Sequence, residues 1–200
     1  MKLVLATNNQ DKVREMRNLL DGLGIEILTS KDFDDFPEIE ETGETLQENA
    51  ALKSKGIFKF TGLPALADDS GLEVDALNGA PGVYSSRFAG PGCTYDDNNT
   101  KLLKELEGVP KDKRSARFRC VISITFADGD TRQVDGAAEG FITEQKAAFT
   151  HGFGYDPVFF YPPLNKTFAE ITLDEKNAVS HRGQALKKAK AVIEDYLKNH

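Results

Sequence analysis

The amino-acid sequence predicts an α/β to α+β fold with a central mixed β-sheet. One observation is an apolar run at Leu3–Ala6 that ends in a polar loop and is followed, between residues 13 and 23, by apolar residues at helical spacing. Another is the strict alternation of apolar and polar residues from Phe118 to Phe126, which stops at Asp128-Gly129. This alternation predicts a long hairpin that continues from Thr131 to Ile142. Strands and helices are therefore expected to be mixed along the chain.

The segment between these two regions is predicted to hold one helix and two strands. Thr45-Leu46-Gln47-Glu48 is a capping box, which predicts a helix from Leu46 to about Phe60. Pro64 to Ala67 predicts a strand, and the apolar alternation after residue 71 predicts a second one. Asp68-Asp69-Ser70-Gly71 is therefore expected to form an acidic turn between two strands.

Three further helices are predicted from caps and periodicity. One is expected to begin at Thr94–Asp97 and to end at Gly108, and Thr172-x-x-Glu175 is expected to cap a short one. The stretch after Ser180 predicts a closing helix whose apolar face consists of Leu186, Ala189, Ile193 and Tyr196. No repeat or low-complexity segment interrupts this order, so residues 1–200 are expected to form a single domain.

Length and charge exclude several classes of protein. With 200 residues, 40% of them hydrophobic, the chain can bury a full core without disulfides or metal ions. The 25 Lys+Arg and 32 Asp+Glu residues give a net charge of -7, and no basic run marks a face that would bind nucleic acid. A small polyanion such as a nucleotide is compatible with this charge, because a few lysines and a divalent cation can bind it locally.

Cysteine usage and hydropathy favour a cytoplasmic protein without a membrane partner. Cys93 and Cys120 form neither a CxxC motif nor a cluster with zinc spacing, so both are expected to be small apolar residues. The apolar run at the N-terminus is too short for a signal peptide, and no other run approaches the roughly 18 residues of a membrane-spanning helix.

The first candidate site is the loop between the first strand and the first helix. It consists of Thr7, Asn8, Asn9, Gln10, Asp11 and Lys12. A helix N-terminus offers unpaired N–H groups and a partial positive charge, so such a loop with short polar side chains and a lysine can hold a phosphate. The alternative is an N-cap by Asn8 or Asn9 and a solvated Lys12. The loop lacks the glycines of a Walker A motif.

The second candidate site is acidic. Glu38, Glu40 and Glu41 precede one predicted helix, and Asp68-Asp69 follows a predicted strand. Mg²⁺ that bridges phosphates usually takes one or two carboxylates plus water, and a neighbouring carboxylate can deprotonate an attacking water molecule. The alternative is solvated surface, which suits Glu38 best. Two adjacent carboxylates between apolar strands repel each other unless a cation lies close or one of them is protonated.

Lys53 interrupts an apolar stripe of the second predicted helix, which otherwise reads Leu46, Ala50, Ile57 and Phe60. A lysine in such a stripe either extends its ammonium group out to solvent or meets a counter-charge. We therefore keep two interpretations of Lys53. It is a surface lysine with a buried stem, or it faces a cleft and contacts a triphosphate or a carboxylate there.

The third candidate site combines an aromatic loop with a cationic helix start. Gly152-Phe153-Gly154-Tyr155-Asp156-Pro157 can present Phe153 flat to a base while Asp156 and backbone groups meet the edge of that base. The alternative is a turn with a core aromatic. Lys176 and Ser180-His181-Arg182 place positive charge near a helix start, where it opposes the helix dipole and so indicates an anionic or acceptor-rich partner.

Taken together, these motifs resemble the Ham1/RdgB family of inosine triphosphate pyrophosphatases, also described as dITP/XTP or non-standard purine NTP pyrophosphatases. The resemblance covers nearly the whole chain, in order, and the combination is highly specific. It rests on Thr7-Asn8-Asn9-x-x-Lys12, Glu40-Glu41-Thr42-Gly43, Ala67-Asp68-Asp69-Ser70-Gly71-Leu72, Gly79-Ala80-Pro81-Gly82, Phe153-Gly154-Tyr155-Asp156-Pro157 and Ser180-His181-Arg182-Gly183.

The resemblance implies an elongated fold with two lobes and a long substrate cleft, a homodimer, and Mg²⁺-assisted attack of water that releases pyrophosphate. The implied substrates are ITP, dITP and XTP, and the products are the nucleoside monophosphate and pyrophosphate. Removal of deaminated purines from the nucleotide pool is the implied role.

The resemblance also implies a role for each candidate residue. Asp69 would be the proton acceptor and a metal ligand, and Glu40 or Glu41 would complete a metal site that includes Asp68. Thr7 to Lys12 would hold the triphosphate, and Ser70 would touch the substrate. Phe153, Gly154, Tyr155 and Asp156 would receive the base, while Lys176, His181 and Arg182 would bind base and phosphates. Lys53 is expected to assist catalysis, because release of pyrophosphate requires charge neutralisation that Lys12, Lys53 and Lys176 can supply.

Base choice is a question of hydrogen bonding. Hypoxanthine and xanthine carry a 6-keto acceptor where adenine has an amino donor, so a donor-rich site with His181 and Arg182 would leave adenine mispaired. One rival hypothesis is another enzyme, either a pyrophosphatase for modified pyrimidine triphosphates or a house-cleaning enzyme of broader scope. The second rival is a regulatory module that binds nucleotides without turnover. The second rival gives no reason for paired carboxylates beside phosphate ligands.

Overall fold

The computed structural model describes residues 1–148 and 151–199. The strands of this described part are β1 (Lys2–Leu5), β2 (Glu26–Leu28), β3 (Ala65–Val74), β4 (Ser115–Thr125), β5 (Thr131–Ile142), β6 (Phe159–Tyr161) and β7 (Lys166–Thr167). Its α-helices are α1 (Gln10–Leu20), α2 (Leu46–Thr61), α3 (Tyr95–Glu105), α4 (Leu173–Val179) and α5 (His181–Asn199). None of the described helices is both long enough and apolar enough to cross a membrane.

The strands form one mixed sheet in the order β2-β1-β3-β4-β5-β6-β7. Strand β1 pairs in parallel with β2 and with β3, whereas β6 pairs in antiparallel fashion with β5 and with β7. Strands β4 and β5 are neighbours joined by a tight turn, in which the Phe126 N–H donates to the Asp130 carbonyl oxygen at 2.8 Å. The predicted mixed α/β fold and its central hairpin are confirmed.

The chain divides into two compact units, which we call unit 1 and unit 2. Unit 1 comprises Met1–Asp69, Cys120–Gly136 and Arg182–His200, and unit 2 comprises Ser70–Arg119 and Ala137–His181. A single functional domain over residues 1–200 stays a prediction.

The core of unit 1 forms where α1 and α5 lay their apolar faces on strand residues. The predicted face of α5 is confirmed, since Leu186, Ala189 and Ile193 are fully buried and Tyr196 stacks on Phe126 with ring centroids 4.0 Å apart. The other buried members of this cluster include Leu3, Leu5, Met16, Leu20, Leu66, Ile122 and Ile124. Burial of these side chains stabilises unit 1 because apolar surface leaves water.

The core of unit 2 is rich in aromatic side chains. Phe118, Phe159 and Phe168 pack with ring centroids 4.6 to 6.0 Å apart. They join apolar residues of α3 and of the strands, among them Leu72, Val74, Leu102, Leu106 and Ile142. Contacts of this kind favour offset or tilted rings and fix the packing of the cluster.

The predicted helix caps are confirmed. Thr45, Thr94 and Thr172 are the N-caps of α2, α3 and α4, and each forms a capping box with the acid three residues later. Each box satisfies two backbone N–H groups that have no partner inside the helix. One member of the predicted stripe on α2 is wrong: Phe60 is 45% exposed, because the buried face ends at Ile57.

The predicted acidic turn is wrong, because Asp68-Asp69-Ser70-Gly71 lies inside the continuous strand β3. The two aspartates tolerate burial in a strand because cations of unit 1 contact them, as described below. Gly71 does not form a turn either. A Cβ atom at this position would collide with the carbonyl oxygen of Gly82, so the glycine permits a close approach of two backbones within unit 2.

Candidate active site

The loop from Thr7 to Lys12 caps helix α1. The Asn9 side-chain oxygen accepts hydrogen bonds from the N–H groups of Asp11 at 2.9 Å and Lys12 at 3.2 Å, and Thr7 Oγ1 accepts one from the Asn9 N–H at 3.2 Å. Asn9 is therefore the N-cap that the sequence allowed as an alternative. Asn8 and Gln10 are exposed, and Asp11 pairs with exposed Arg14. Phosphate binding by this loop stays a prediction.

Asp68 is the centre of a buried ion network in unit 1. Its side chain is inaccessible to solvent, with one carboxylate oxygen 3.1 Å from Lys12 Nζ and the other 3.0 Å from Arg182 Nη2. Arg182 is 3% exposed and its Nη1 atom lies 2.5 Å from the carboxylate of Glu15, which is itself buried. The first residues of α1 and α5 are thus tied to the middle of β3.

Asp69 forms a second ion network with Lys53. Lys53 Nζ donates to Asp69 Oδ1 at 2.9 Å and to Glu41 Oε1 at 2.7 Å, and its side chain is only 12% exposed. The counter-charge interpretation of Lys53 is therefore correct and the solvent-facing one is wrong. The Asp69 Oδ2 atom is buried and accepts no hydrogen bond from any residue in 1–148 or 151–199. That oxygen is available to a ligand, a proton or a cation.

The two adjacent aspartates differ in acidity. Burial opposes ionisation of Asp68, but Lys12, Arg182 and Lys53 outweigh it and hold the pKa of Asp68 well below its usual range. Burial raises the pKa of Asp69, since Lys53 compensates only in part and the nearby Glu41 carboxylate adds repulsion. For Lys53, the negative charges of Asp69, Asp68 and Glu41 outweigh burial and raise the pKa of the ammonium group. One acid is thus locked in its charged form, while the other is a better proton acceptor.

The predicted metal ligands do not form a cage by themselves. No group of three or more His, Cys, Asp or Glu side chains in the described ranges could hold a metal ion. Asp68 faces Lys12 and Arg182, Glu40 is exposed, and Glu41 shares Lys53 with Asp69. Glu41 and Asp69 are therefore the pair of predicted ligands that the structure brings together.

In unit 2, the loop Gly152–Pro157 is closed by the carboxylate of Asp156. Asp156 Oδ2 accepts a hydrogen bond from the Phe153 N–H at 2.7 Å and one from Lys176 Nζ at 2.7 Å. Gly152 adopts a left-handed conformation with φ of 83°, and a Cβ atom there would collide with Asp156 Oδ2. The carboxylate therefore supports the loop from within, and its contact with the edge of a base stays a prediction.

The ring of Phe153 lies near two side chains of unit 2. Lys176 Nζ is 4.6 Å from its centroid, and the exposed ring of Tyr95 is 6.0 Å away. The cation and the ring attract each other, and this contact orients the ring together with the Asp156 ion pair. Phe153 is half-buried, and stacking of its ring on a base stays a prediction.

The remaining predicted residues of unit 2 differ in burial. Tyr155 donates its hydroxyl to the Ser85 carbonyl oxygen at 2.8 Å, and burial raises the pKa of this phenol. His181 is 3% exposed and stacks on Phe118 with centroids 4.6 Å apart and planes 11° from parallel. Ser70 is half-buried. Substrate contacts by Ser70, Gly154, Tyr155, Lys176 and His181 stay predictions.

Sequence reasoning missed Glu15 and did not identify which carboxylates contact Lys53. Glu15 lies on the buried side of α1 between Val13 and Met16, and the structure pairs it with Arg182. The signal was present, because an acid on an apolar helix face needs a counter-charge just as Lys53 does.

The fold and these side chains define a class of protein. It is an α/β protein with buried ion pairs in one unit and, in the other, a loop that carries an aromatic side chain. Comparison with known proteins gives the family. The model of the Ham1 family matches residues 3–192, and the chain belongs to this family.

Two relatives at about 50% identity cover almost the full chain. A protein named dITP/XTP pyrophosphatase from Desulforamulus reducens is 52% identical over 193 residues, which is 96% of both chains. One of the same name from Geobacter sulfurreducens is 50% identical and covers 98% of this chain and 96% of its own. Among solved structures, a HAM1 protein from Coxiella burnetii has a TM-score of 0.88 at 44% identity, covering 98% of this chain and 99% of its own. The Ham1 protein from Staphylococcus aureus has a TM-score of 0.87 at 38% identity, covering 98% of this chain and all of its own.

Proposed function

We propose that this chain hydrolyses the non-canonical purine nucleoside triphosphates ITP, dITP and XTP to the nucleoside monophosphate and pyrophosphate. The observation that supports this most directly is Asp69, a buried carboxylate with a raised pKa, one oxygen on Lys53 and the other without a donor among the described residues. Such a group suits a general base. Membership in the Ham1 family, with curated relatives named dITP/XTP pyrophosphatase, indicates which reaction that base serves.

Asp69 and Glu41 fit the divalent cation that the family resemblance implies. The open Oδ2 atom of Asp69 and the carboxylate of Glu41, which is held near it through Lys53, are hard oxygen ligands of the kind that Mg²⁺ takes. When bound, Mg²⁺ would neutralise charge on the phosphate oxygens and supply Lewis acidity. Two protein carboxylates are enough, because Mg²⁺ usually obtains its other ligands from phosphates and water.

The proposed reaction breaks the bond between the α-phosphorus and the oxygen that bridges it to the β-phosphorus. A water molecule attacks the α-phosphorus, Asp69 accepts the proton of that water, and pyrophosphate leaves with the bridging oxygen. Lys53 keeps Asp69 oriented and, with Lys12, offsets the negative charge that accumulates on the phosphates. The overall reaction is nucleoside triphosphate plus water giving nucleoside monophosphate plus pyrophosphate.

The ion network around Asp68 has a different role in this proposal. Because Lys12 and Arg182 both contact its carboxylate, Asp68 stays ionised and fixes the first turn of α1, where the phosphate-binding loop ends. Arg182, expected from sequence to bind base and phosphates, is already engaged by Asp68 and Glu15. We therefore assign Arg182 a positioning role in unit 1.

Unit 2 is proposed to bind the purine. Phe153 would stack on the base, and stacking alone contributes roughly 1–3 kcal/mol per base in nucleic-acid sites. Lys176 and His181 would supply hydrogen-bond donors for a 6-keto purine, which lets the site reject adenine.

The same proposal includes a homodimer, a cytoplasmic location and no nucleic-acid partner. Size-exclusion chromatography with light scattering tests whether the chain is a homodimer.

The test is a pyrophosphate-release assay over the common and deaminated nucleoside triphosphates, with Mg²⁺ and with a chelator. We expect the highest kcat/KM for XTP, dITP and ITP, at least about tenfold lower values for ATP and GTP, and loss of turnover with the chelator. Equal turnover of all purine triphosphates would contradict the proposed substrate class. Tight nucleotide binding without any pyrophosphate release would instead support a regulatory module.

A further inference from the structure

Asn99 lies on helix α3, outside every group of residues assigned above, and its side-chain amide contacts the loop Gly152–Pro157. The Nδ2 atom donates to the carbonyl oxygen of Gly154 at 2.9 Å and to that of Tyr95 at 2.9 Å. The residue is 3% exposed. Both partners are acceptors, which fixes the orientation of the amide, because only its NH₂ end can face them.

The other end of this amide shows what the side chain is for. Asn99 Oδ1 is buried and receives no hydrogen bond from any part of the chain that the structure describes. A buried oxygen without a donor is destabilising, so stability alone would favour an apolar side chain of similar size at this position. The amide is therefore explained by its NH₂ group, and the bond to Gly154 is the one that leaves its own helix.

The loop is held from two sides. From within, the Asp156 carboxylate accepts from the Phe153 N–H at 2.7 Å. From outside, Asn99 donates to the carbonyl oxygen of the next residue, Gly154. Gly154 has a φ of 64°, which is a left-handed conformation. The Tyr95 ring, one turn before Asn99 on the same helix, is 6.0 Å from the Phe153 ring. The first turns of α3 thus contact the loop at both residues that follow Gly152.

We propose that Asn99 is a positioning residue for nucleotide binding, which holds the Gly154 carbonyl group and so fixes the Phe153 ring in the orientation that receives the base. This inference rests on the proposed function of the loop. A ring that is already fixed loses less conformational freedom when a ligand binds, so Asn99 contributes to affinity without touching the reacting atoms. Its loss raises KM and spares kcat.

The test compares Asn99→Ala with Asn98→Ala in the pyrophosphate-release assay. Asn98 is a matched control, because it is 2% exposed on the same helix and its side chain, among the residues that the structure describes, hydrogen-bonds to backbone groups and Cys93 in the segment 86–93. We expect Asn99→Ala to raise KM for dITP about five- to tenfold with kcat within about twofold, and Asn98→Ala to leave KM within about twofold. Asn99→Leu, which keeps the volume, replaces the alanine variant if that one does not fold.

A double-mutant cycle shows whether Asn99 acts through Phe153. In a Phe153→Ala background, we expect the effect of Asn99→Ala on KM to vanish, since there is no ring left to position. Equal KM changes in Asn98→Ala and Asn99→Ala, or an Asn99→Ala effect that persists undiminished without the ring, would overturn the proposal. Absence of pyrophosphate release from the unmodified chain would instead contradict the proposed function.

A fluorescence measurement without substrate tests directly whether Asn99 restrains the ring at position 153. The chain contains no tryptophan, so Phe153→Trp creates a single tryptophan reporter in the loop, which is excited selectively on the long-wavelength side of tyrosine absorption. Without nucleotide, Asn99→Ala should lower the fluorescence anisotropy of this reporter, and Asn98→Ala should not. Unchanged anisotropy in the Asn99→Ala variant would show that the amide does not restrain the ring.

Discussion

Unit 1 and unit 2 hold their polar side chains in different ways. In unit 1, the acids Glu15, Glu41, Asp68 and Asp69 contact three cations, and the contacts cross from α1, α2 and α5 to one strand. In unit 2, the buried ion pair Asp156–Lys176 supports a short loop, and the Phe153 ring of that loop lies near Lys176 and the Tyr95 ring. This contrast underlies the roles proposed for the two units, because dense charge suits bond cleavage in a polyanion and a supported ring suits recognition of a flat base.

The largest effect is expected from Asp69→Asn in unit 1. The change removes the proposed base and one negative charge but keeps the volume, so kcat should fall at least about 10³-fold while nucleotide affinity stays within about tenfold. Stopped assays for kcat and calorimetric titration for affinity measure the two effects. Turnover close to that of the unmodified chain would refute the role of Asp69.

The buried ion pairs of Arg182 predict a large loss of stability. Arg182→Ala leaves Asp68 and Glu15 buried with one cation fewer, which should lower the free energy of unfolding by about 3–5 kcal/mol. Arg14→Ala is the matched control, because Arg14 pairs with Asp11 on the surface and its loss should cost less than about 1 kcal/mol. Urea unfolding followed by circular dichroism compares the two. Similar losses would show that the Arg182 network is not a support.

Lys53 should affect catalysis more than binding. Lys53→Met removes the cation between Asp69 and Glu41. We expect kcat/KM for dITP to fall about 30- to 150-fold, which corresponds to a loss of roughly 2–3 kcal/mol of transition-state stabilisation. Lys55→Met, an exposed lysine on the same helix, should leave the kinetics unchanged. Steady-state kinetics of both variants decide, and equal behaviour would remove Lys53 from the mechanism.

The smallest effect is expected in unit 2. Phe153→Ala should weaken the binding of dITP and of ATP alike, by about 1–3 kcal/mol, because every purine base has a ring face on which Phe153 can stack. Phe141→Ala, which removes another partly exposed ring of unit 2 outside the loop, should change neither. Affinities for both nucleotides come from titration calorimetry. A selective loss for dITP would mean that Phe153 reads the base rather than merely stacking on it.

How much the sequence predicts depends on whether the signal is local. Caps at Thr45, Thr94 and Thr172 and the apolar face of α5 are set by neighbours within one or two turns, so they were predictable. The path of Asp68-Asp69 was not. Paired acids are typical of turns, and only cations from α1, α2 and α5, distant in sequence, make their burial within a strand tolerable.

The candidate site shows the same limit. Lys53 is conspicuous in an apolar stripe, but its partners Glu41 and Asp69 are 12 and 16 residues away, and no spacing rule connects them. Arg182 contacts Glu15 at a separation of 167 residues, a partner that the sequence did not indicate, and its contact with a substrate stays a prediction. Asn99 gave no signal at all, because its role depends on a carbonyl group 55 residues further along.

The most direct test of this division of labour is to measure kcat and dissociation constant for dITP in Asp69→Asn and Phe153→Ala side by side. We expect Asp69→Asn to lose turnover at least about 10³-fold and to keep affinity within about tenfold. Phe153→Ala should lose affinity by roughly 5- to 150-fold and keep kcat within about threefold. If instead Phe153→Ala loses turnover at unchanged affinity, or Asp69→Asn loses affinity at unchanged turnover, the assignment of chemistry to unit 1 and base binding to unit 2 is wrong.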